Sequence, residues 1–529
     1  MTVSRFQSFP LPVLLLLLIA GPSGAATLLV SQSGNDSNGL SWESAFNTIG
    51  KALMASETGD RIWIASGTYE ETIKVKSDVS ISGGFLGDES LDEIGTRDSR
   101  GNLTIISGKT VSTPIVTCSN VSGVRLETLT IKRASENSGV GLNVIHSDLE
   151  MVACIVEENR SDFAGGMRCQ NSSVVIRDST FTNNSVPDRE FFVGGTPTSG
   201  FSFRYELAEG GGINAAVGEL SLIDCLFVGN NAGKGAGLFL QEMTVTIEGC
   251  TFMENRGGYG AGIGAVDSDL TIKGSRFLSN VAEQRLSSFH SCGFGPCNPS
   301  KGYFSALGSA LALFEGSVAD LSACWIQEND SADQGSLYLE GSSSDLRDCL
   351  LILNQSCQGG ALFLDPMSTG DLSHCTVYGN VASASGGGVY ASDGASLVMV
   401  NSIFWEDFPD EIRSGSSEIR YSCIRGGGQG EGNIDEDPGF VDSGDADLRL
   451  LIDSPCIDSG TGNGHLVDLD GNPRPVDVLG KGHEGPNAFD MGAYEFQLPG
   501  SDFNSNGYVD PMDLFIFQLQ WMKTTDVGK

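Results

Sequence analysis

The sequence predicts an all-β fold, a right-handed parallel β-helix that adds one coil about every 25 residues. Three observations predict it. An asparagine recurs at nearly regular intervals, with steps of 25, 46, 25, 25, 49, 25 and 26 residues. A cysteine or serine always stands five positions before it, and an apolar residue stands three positions before it. Segments such as "MTVTIEGCTF" (243–252) alternate apolar and polar residues, which favours strands over paired helices.

The repeat is easiest to follow at its asparagine. The eight copies are Asn159, Asn184, Asn230, Asn255, Asn280, Asn329, Asn354 and Asn380. Three short strands and three turns fill such a unit, and coils stacked about 4.8 Å apart enclose one apolar core. The cysteine or serine and the apolar residue two positions later share one side of a strand, so we expect both to point inward. We expect the asparagines to lie at a turn and to hydrogen bond from coil to coil.

The composition fits a folded, turn-rich chain, with 40% hydrophobic residues and 70 glycines among 529 residues. Acidic residues number 67 against 31 basic ones, which gives a net charge of -36. Because such a charge repels phosphate backbones and anionic membranes, we expect no nucleic acid partner. Calcium, cationic surfaces and neutral glycans remain compatible with it.

Residues 1–26 read as a secretory signal peptide. Arg5 supplies a basic start, a leucine-rich run from Leu11 to Ala20 follows, and small residues end the segment near Ala25 or Ala26. No later stretch has the 18 or so consecutive apolar residues that a spanning helix needs. We therefore expect a secreted or cell-surface protein with no membrane span in the mature chain.

The chain has thirteen cysteines, an odd number. Most stand at the repeat position, which predicts small buried core residues rather than disulfides. Cys292 and Cys297 are the exception, because they lie close together outside that position, and we expect them to form a disulfide.

The predicted β-helix spans residues 27–497. Within it, 27–75 is expected to form an N-terminal cap and 435–497 a closing region. Residues 498–529 follow as a separate tail.

Two coils overrun the repeat, at the steps of 46 and 49 residues. The extra residues form insertions at 185–209 and 281–305, which leave the same edge three coils apart, about 14 Å at the spacing of strands. We expect them to wall one cleft. Their aromatic residues are candidates for stacking against sugar rings: Phe191, Phe192, Phe201, Phe203, Tyr205, Phe289, Phe294 and Tyr303. The alternative is that these aromatics only pack the insertions onto the scaffold.

Several segments resemble known families. "FTNN", "FVGN", "FMEN" and "FLSN", with "GAGL", "GAGI" and "GGAL", resemble the repeats of polymorphic outer-membrane proteins over about 150–400. Residues 30–73 are similar to the first coil and cap of secreted right-handed β-helix proteins, pectate-lyase-like ones included. Residues 435–496 resemble the closing region of bacterial surface β-helix proteins. The resemblance implies a β-helix of the cell exterior.

The tail carries a candidate calcium loop, "DFNSNGYVDPMD" (502–513). Its ligands would be Asp502, Asn504, Asn506, the Tyr508 carbonyl, Asp510 and Asp513. The loop resembles one half of a type I dockerin, which implies a cohesin-like partner. It departs from that family in being single, and position 12 holds Asp513 where an EF-hand has glutamate. The alternative is an acidic turn before an amphipathic helix; "DLDGN" (468–472) is a weaker calcium candidate that favours a turn.

For function, the sequence predicts a non-catalytic repeat protein that binds carbohydrate or another surface. The alternative is a polysaccharide lyase or glycoside hydrolase acting on acidic polysaccharide in the cleft between the insertions. A lyase needs carboxylates that hold calcium and a lysine or arginine that takes a proton. Asp162 with Arg160 and Arg168, or Lys234, could serve, but no motif selects them.

Overall fold

The computed structural model describes residues 25–90, 101–108, 113–132, 139–196, 200–291, 300–462 and 464–498, with the isolated positions 512, 514 and 516. Within these residues, two long parallel sheets of 23 and 13 strands run from coil to coil. The chain therefore forms the predicted parallel β-helix. None of its described helices is long and apolar enough to cross a membrane.

Three sheets form the walls of the helix. The strands of the 23-stranded sheet A are Thr27–Val30, Arg61–Ala65, Ile73–Lys74, Ser80–Phe85, Val116–Ser119, Val124–Glu127, Leu142–Ile145, Asp148–Val152, Met167–Arg177, Ile213–Ile223, Leu238–Glu248, Ile263–Val266, Asp269–Lys273, Leu311–Phe314, Val318–Ser322, Leu337–Glu340, Ser343–Arg347, Leu362–Leu364, Thr369–Ser373, Val389–Ala391, Ser396–Val400, Ile412–Ser414 and Ser417–Arg420. The strands of the 13-stranded sheet B are Gly67–Tyr69, Thr104–Ser107, Thr130–Lys132, Ile155–Glu157, Thr180–Thr182, Leu226–Val228, Thr251–Met253, Arg276–Leu278, Trp325–Gln327, Leu350–Ile352, Thr376–Tyr378, Ile403–Trp405 and Cys423–Ile424. The shorter sheet C has Arg256–Gly257, Val281–Ala282, Asp330–Ser331, Gln355–Gln358 and Val381–Ser385.

The corners between sheets are tight. One residue with positive φ turns the chain from sheet A into sheet B, as at Asp348 (53°) and His374 (49°). A second such residue precedes the repeat asparagine, as at Glu254 (54°). Because these corners recur at the same place in each coil, Phe252 pairs in register with Phe227 and Phe277 of its neighbours.

The core is filled by columns of like residues. The rings of Phe181, Phe227, Phe252 and Phe277 are fully buried and stack with centroids 5.0, 4.7 and 5.1 Å apart. The repeat cysteines are buried beside them: Cys154, Cys225, Cys250, Cys324, Cys349 and Cys375. Burial raises the pKa of the Cys154 thiol to about 12, so it stays protonated at neutral pH. The predicted inward direction of both columns is confirmed.

The predicted asparagine ladder is also present. Asn255 Nδ2 donates to Asn280 Oδ1 and to the carbonyl oxygen of Phe227, both at 2.9 Å. The same pair of bonds recurs from Asn159 to Asn354. The ladder ends at Asp407, whose Oδ1 accepts from the N and Nδ2 of Asn380 at 2.7 and 2.8 Å.

A short α-helix, Ile49–Ala55, lies beside the first strands of sheet A. It buries Ile49, Ala52 and Leu53 in the main core. The Glu71 carboxylate accepts from the backbone N of Ile49 at 2.8 Å, which satisfies one of the free N–H groups at the start of a helix.

The segment after the last coil contains a two-stranded antiparallel pair, Phe440–Asp442 and Asp447–Leu450, and the 3₁₀ turns Ser443–Asp445 and Gly485–Asn487. Its described residues form apolar clusters against the last coils, and buried carboxylates accept from its backbone N–H groups. Asp490 accepts from the N of Asp458 at 2.8 Å and from the N of Phe496 at 2.6 Å. The candidate calcium segment 468–472 is a turn, since Asp468 Oδ1 accepts from Asn472 N at 2.7 Å.

Candidate functional site

The two insertions form one sheet. Their strands are Arg189–Thr196, Gly200–Glu206, Arg285–Ser291 and Ser300–Phe304, in that spatial order and all antiparallel. We call this four-stranded unit the insertion sheet. The prediction that the insertions wall a cleft is wrong, because the two inner strands hydrogen bond to each other and close the gap between them.

The backbone register sorts the predicted aromatic residues onto the two faces of the insertion sheet. Phe192 pairs with Phe203, and their rings meet edge to face with centroids 5.7 Å apart. Since alternate residues of a strand share a face, Tyr205 lies on the same side as Phe203. We call this side the aromatic face. Phe191 belongs to the opposite face.

The outer strands leave aromatic rings accessible. Phe192 is 60% exposed and Tyr303, on the fourth strand, is 52% exposed. The backbone of Phe289 pairs with Phe203 and that of Lys301 with Phe289, which places Tyr303, two residues on, along the aromatic face. The remaining parts of the predicted set lie outside the described residues: the side chains of Phe201 and Phe289, the whole of Phe294, and the predicted disulfide Cys292–Cys297.

A partly buried ion pair joins the two insertions at the root of the insertion sheet. Arg285 Nη1 lies 3.5 Å from Asp188 Oδ2, which joins the beginning of one insertion to the beginning of the other. Arg285 Nη2 also donates to Asn231 Oδ1 at 3.1 Å, on the scaffold. Asp188 Oδ1 accepts from the N of Ala208 at 3.0 Å and so pins the returning chain.

Two cavities adjoin the foot of the insertion sheet on the outer side of sheet A. The first, of about 320 Å³, has polar walls and is called the polar cavity. Its lining includes Asp162, Arg168, Arg189 and Asn214. Arg189 donates to the carbonyl oxygen of Asp162 at 2.9 Å and covers the ring of Phe163 at 4.5 Å.

The second cavity, of about 280 Å³, has aromatic walls and is called the aromatic cavity. Phe239, Tyr259 and Phe314 line it, with Glu340 at its rim. The two cavities meet at an ion pair in which Lys234 Nζ lies 3.1 Å from Glu209 Oε1. We call the two cavities together the groove, since Glu209 lines one and Lys234 lines the other.

The candidate lyase residues do not assemble into a catalytic centre. Asp162 and Arg168 do line the polar cavity, but Arg168 donates to Gln170 at 3.1 Å and Lys234 is paired with Glu209. Within the described residues, no three carboxylates of this groove lie within metal-binding reach of one another. In the described residues, this arrangement differs from the cluster of carboxylates beside a free lysine or arginine that the lyase alternative predicts.

One described group has metal-binding residue types elsewhere: Asp348, His374 and His465, each with one ligand atom within 4.8 Å of the others. Asn401 Nδ2 lies 3.0 Å from His374 Nε2, and Arg474 Nη1 lies 3.7 Å from Asp348 Oδ1. Burial and the positive charge of Arg474 lower the pKa of His374 well below its usual range. Because Arg474 already supplies a cation, this group is a hydrogen-bonded joint between coil corners and the closing segment.

A carboxyl pair at the end of the asparagine ladder escaped the sequence analysis. Asp407 is buried, its pKa is raised by burial and by the negative charge of Glu411, and Glu411 Oε2 accepts from the N of Asp407 at 3.0 Å. The sequence held a signal for it, since Ser402 and Phe404 precede Asp407 at the repeat spacing. A cavity of about 850 Å³ lies beside the pair. The bonds of both carboxyls to the ladder and the backbone make the pair a structural end cap.

The predicted calcium ligands of the tail, from Asp502 to Asp513, lie outside the described residues. So does the predicted signal peptide, apart from its last two residues. Both remain predictions.

Comparison with known proteins gives a family match over part of the chain. A family model described as a protein of unknown function, DUF1565, matches residues 32–217, about a third of the chain. A comparison with curated proteins gives no match.

Solved structures with a similar course of the chain include three lyases. Pectate lyase Pel9A is 12% identical with a TM-score of 0.40, over 90% of this chain and 98% of that one. A rhamnogalacturonan lyase is 12% identical with a TM-score of 0.29, over 80% and 92% of the two chains. The alginate lyase from Paenibacillus sp. str. FPU-7 is 11% identical with a TM-score of 0.27, over 74% and 99%. At these values the similarities carry no argument about activity, and the site geometry has to supply it.

Proposed function

We propose that this is a protein of the cell exterior that binds polysaccharide, without cleaving it, through the insertion sheet and the groove beneath it. The observation that carries the proposal is the gathering of the insertion aromatics into one antiparallel sheet. Two segments nearly a hundred residues apart in sequence contribute to a single surface with accessible rings. Accessible aromatic rings beside polar groups suit the apolar faces and hydroxyls of sugars.

The charges of the groove favour neutral or amine-bearing sugars over uronic acids. An acidic polymer needs cations that are free to pair with its carboxylates. Arg189 and Lys234 already have protein partners, and Asp162, Glu206 and Glu209 line the polar cavity around them. Carboxylates outnumber basic side chains in the lining of both cavities, so a uronate would meet net negative charge in each.

An extracellular location is supported by residues 1–26, whose pattern is that of a signal peptide. The tail loop is proposed to bind calcium through its oxygen ligands, with a cohesin-like domain as its partner. Expression in a secreting host with sequencing of the mature N-terminus tests the first point. Calorimetric titration of the full chain with calcium, beside the Asp502→Ala variant, tests the second.

The binding proposal is tested with the full mature chain on an array of neutral, acidic and amine-bearing polysaccharides. The double variant Phe192→Ser with Tyr303→Ser removes two accessible rings from the insertion sheet. We expect it to lose about tenfold in affinity for the glycans that the native chain retains. Phe408→Ser is the matched control, since Phe408 is 64% exposed and lies outside the insertions.

The same reactions are followed for cleavage products, by absorbance of unsaturated sugars and by new reducing ends. Release of either product would contradict the non-catalytic part of the proposal. Equal binding by the native chain and the insertion-sheet variant would contradict the assignment of the surface.

A further inference from the structure

The aromatic cavity exists because two neighbouring coils carry very small residues on the outside of sheet A. Phe239 pairs in register with Gly264, Gly264 with Ala312, and Ala312 with Tyr338. On the outer face of sheet A, two aromatic residues, Phe239 and Tyr338, are therefore separated by two coils that have only a glycine and an alanine at this position. Gly264 lies in the lining of the cavity, while Ala312 is buried in the cluster against which Tyr259 and Phe314 pack.

Aromatic rings stand around these two small residues. Tyr259 lies at the coil corner on one side, and Phe314 lies on the sheet on the other, with ring centroids 5.8 Å apart. Tyr338 stands 5.7 Å beyond Phe314 at the far end. The rings are tilted to one another at 45° and 49° and lie within contact distance, so they form one continuous aromatic wall of the cavity.

Negative charge collects at the rim of the same cavity. Glu315 and Glu340 both line it, and neither forms an ion pair within the described part of the chain. Tyr338 Oη donates to Glu340 Oε2 at 3.1 Å and so holds that carboxylate beside the rings. Burial and the negative charge of Glu340 raise the pKa of the Tyr259 hydroxyl, so this phenol stays protonated at neutral pH.

The basic side chain at this site does not cancel that charge. Lys234 lines the cavity, but its Nζ is 3.1 Å from Glu209 and 5.7 Å from the centre of the Phe239 ring. It is directed to the junction with the polar cavity. The aromatic cavity is thus lined by rings and edged by two carboxylates, a setting that attracts a cation with an apolar body.

We propose that the aromatic cavity binds a sugar ring that carries a primary ammonium group, as in a polysaccharide of unacetylated hexosamine. The ring lies against Phe314 and Tyr259, and its ammonium group pairs with Glu340. The volume of about 280 Å³ is large enough to hold one sugar ring. This inference rests on the proposed function, because it names the class of polysaccharide held beneath the insertion sheet.

The experiment compares hexamers of glucosamine and of N-acetylglucosamine by calorimetry with the full mature chain. The two ligands share their ring and linkage and differ in the ammonium group. We expect the glucosamine hexamer to bind at least about tenfold more tightly, since a charge-assisted hydrogen bond of this kind is commonly worth that factor. A hexamer of lysine is the third ligand and is expected to bind weakly, because it lacks the ring.

Two variants of the cavity lining and one control variant test whether the hexamers bind in this cavity. Glu340→Gln keeps the shape of an exposed side chain and removes its charge, so the preference for glucosamine is expected to fall about tenfold. Glu248→Gln, at an exposed position of sheet A outside the lining of the cavity, is the matched control and is expected to leave the preference unchanged. Phe314→Ala is expected to weaken both sugar hexamers.

The outcomes separate this inference from the proposed function. Equal binding of the two sugar hexamers, or a preference that survives Glu340→Gln, overturns the inference while polysaccharide binding stands. Strong binding of the lysine hexamer would show recognition of ammonium alone and would overturn the sugar assignment. If no polysaccharide binds at all, the proposed function itself fails.

Discussion

Asn255 shows what one residue contributes to the stack. It is completely buried and makes four side-chain hydrogen bonds, two through Nδ2 and two accepted by Oδ1. Two of these join it to Asn230 on one side, and one joins it to Asn280 on the other. The hydrogen bonds therefore satisfy the side-chain amide of Asn255 and, at the same time, backbone groups of the neighbouring coil.

Replacing Asn255 with alanine is expected to lower the free energy of unfolding by about 3 kcal/mol, because buried donors and acceptors lose their partners. Chemical denaturation followed by far-ultraviolet circular dichroism measures the change. Asn35→Ala, at an exposed position of the first loop, is the control. A loss below about 1 kcal/mol would show that water enters the ladder and replaces the amide.

A second residue-scale feature is the carboxylate cluster of the closing segment. Burial raises the pKa of Asp458 to about 7 and that of Glu495 to about 7. Asp458 Oδ2 accepts from the N of Val478 at 2.9 Å, while Oδ1 has no hydrogen-bond partner within the described residues. The folded state therefore favours the protonated acid.

Because the unfolded chain releases this proton near pH 4 and the folded chain releases it near pH 7, stability is present at low pH and is lost as the pH rises between those values. We expect the temperature at the midpoint of thermal unfolding to decrease as the pH is raised from about 5 to about 8. Asp458→Asn, which stays neutral, is expected to reduce that fall and to raise the midpoint at pH 8. A midpoint that rises with pH in the native chain would contradict the assignment.

Sequence spacing alone was sufficient to predict the buried columns, because each column is a one-dimensional repeat. Asn255, Cys250 and Phe252 occupy fixed offsets, so their directions follow from strand geometry. Asp407 lies outside the predicted repeat because that repeat is defined by an asparagine, and residue 407 is an aspartate. It can end the ladder because its Oδ1 accepts hydrogen bonds from Asn380 as the Oδ1 of an asparagine would.

At the scale of elements, the insertion sheet is held to the scaffold by polar and aromatic contacts at its foot, among them those of Arg189 with Asp162 and Phe163. Its root depends on Arg285, which reaches Asp188, Asn231 and the carbonyl oxygen of Arg256. Strands that project from a core gain little from burial, so such polar anchors decide how firmly they are held.

Arg285→Ala is expected to loosen the insertion sheet while leaving the coils folded. Limited proteolysis with mass spectrometry should show cleavage within 185–209 and 281–305 at least about tenfold faster than in the native chain. The thermal midpoint of the coils should change little. Arg449→Ala removes an exposed arginine that pairs with Asp447 outside the insertions and is the matched control; cleavage at equal rates in both variants would remove Arg285 from this role.

The sequence located both insertions and their aromatic residues but did not predict their arrangement. Lengths of 46 and 49 residues between markers show only that chain is added. Pairing between Phe203 and Phe289 joins segments far apart in sequence, and its register depends on contacts that no local pattern encodes. The aromatic cavity was missed for a similar reason, since it depends on Gly264 and Ala312 being neighbours in space.

At the scale of the whole molecule, the coils contact mainly their neighbours, so the structure behaves as a stack of interchangeable units. Strand Met167–Arg177 pairs with Ile213–Ile223 on one side and with Leu142–Ile145 on the other, residue for residue. A coil can therefore be removed without shifting the register of the rest.

Deleting residues 160–184 removes one full repeat and brings Asn159 into the place of Asn184 below Asn230. We expect the shortened chain to stay monomeric and to keep its strand spectrum and a cooperative thermal transition. Deleting only 160–179 leaves a partial coil and is expected to aggregate or to lower the thermal midpoint by at least about 10 °C. Size-exclusion chromatography and circular dichroism make the comparison; equal behaviour of the two deletions would contradict the stacking of units.

Buried thiols in different coils make it possible to follow the unfolding of each part of the solenoid separately. Cys118, Cys225, Cys324 and Cys423 are spaced along the axis and are shielded from reagents while their coils are closed. Pulses of a maleimide at successive times of unfolding, followed by mass spectrometry of each peptide, measure when the thiol of each coil becomes accessible. The order of labelling would show from which end the helix comes apart, and whether it does so in one event or coil after coil.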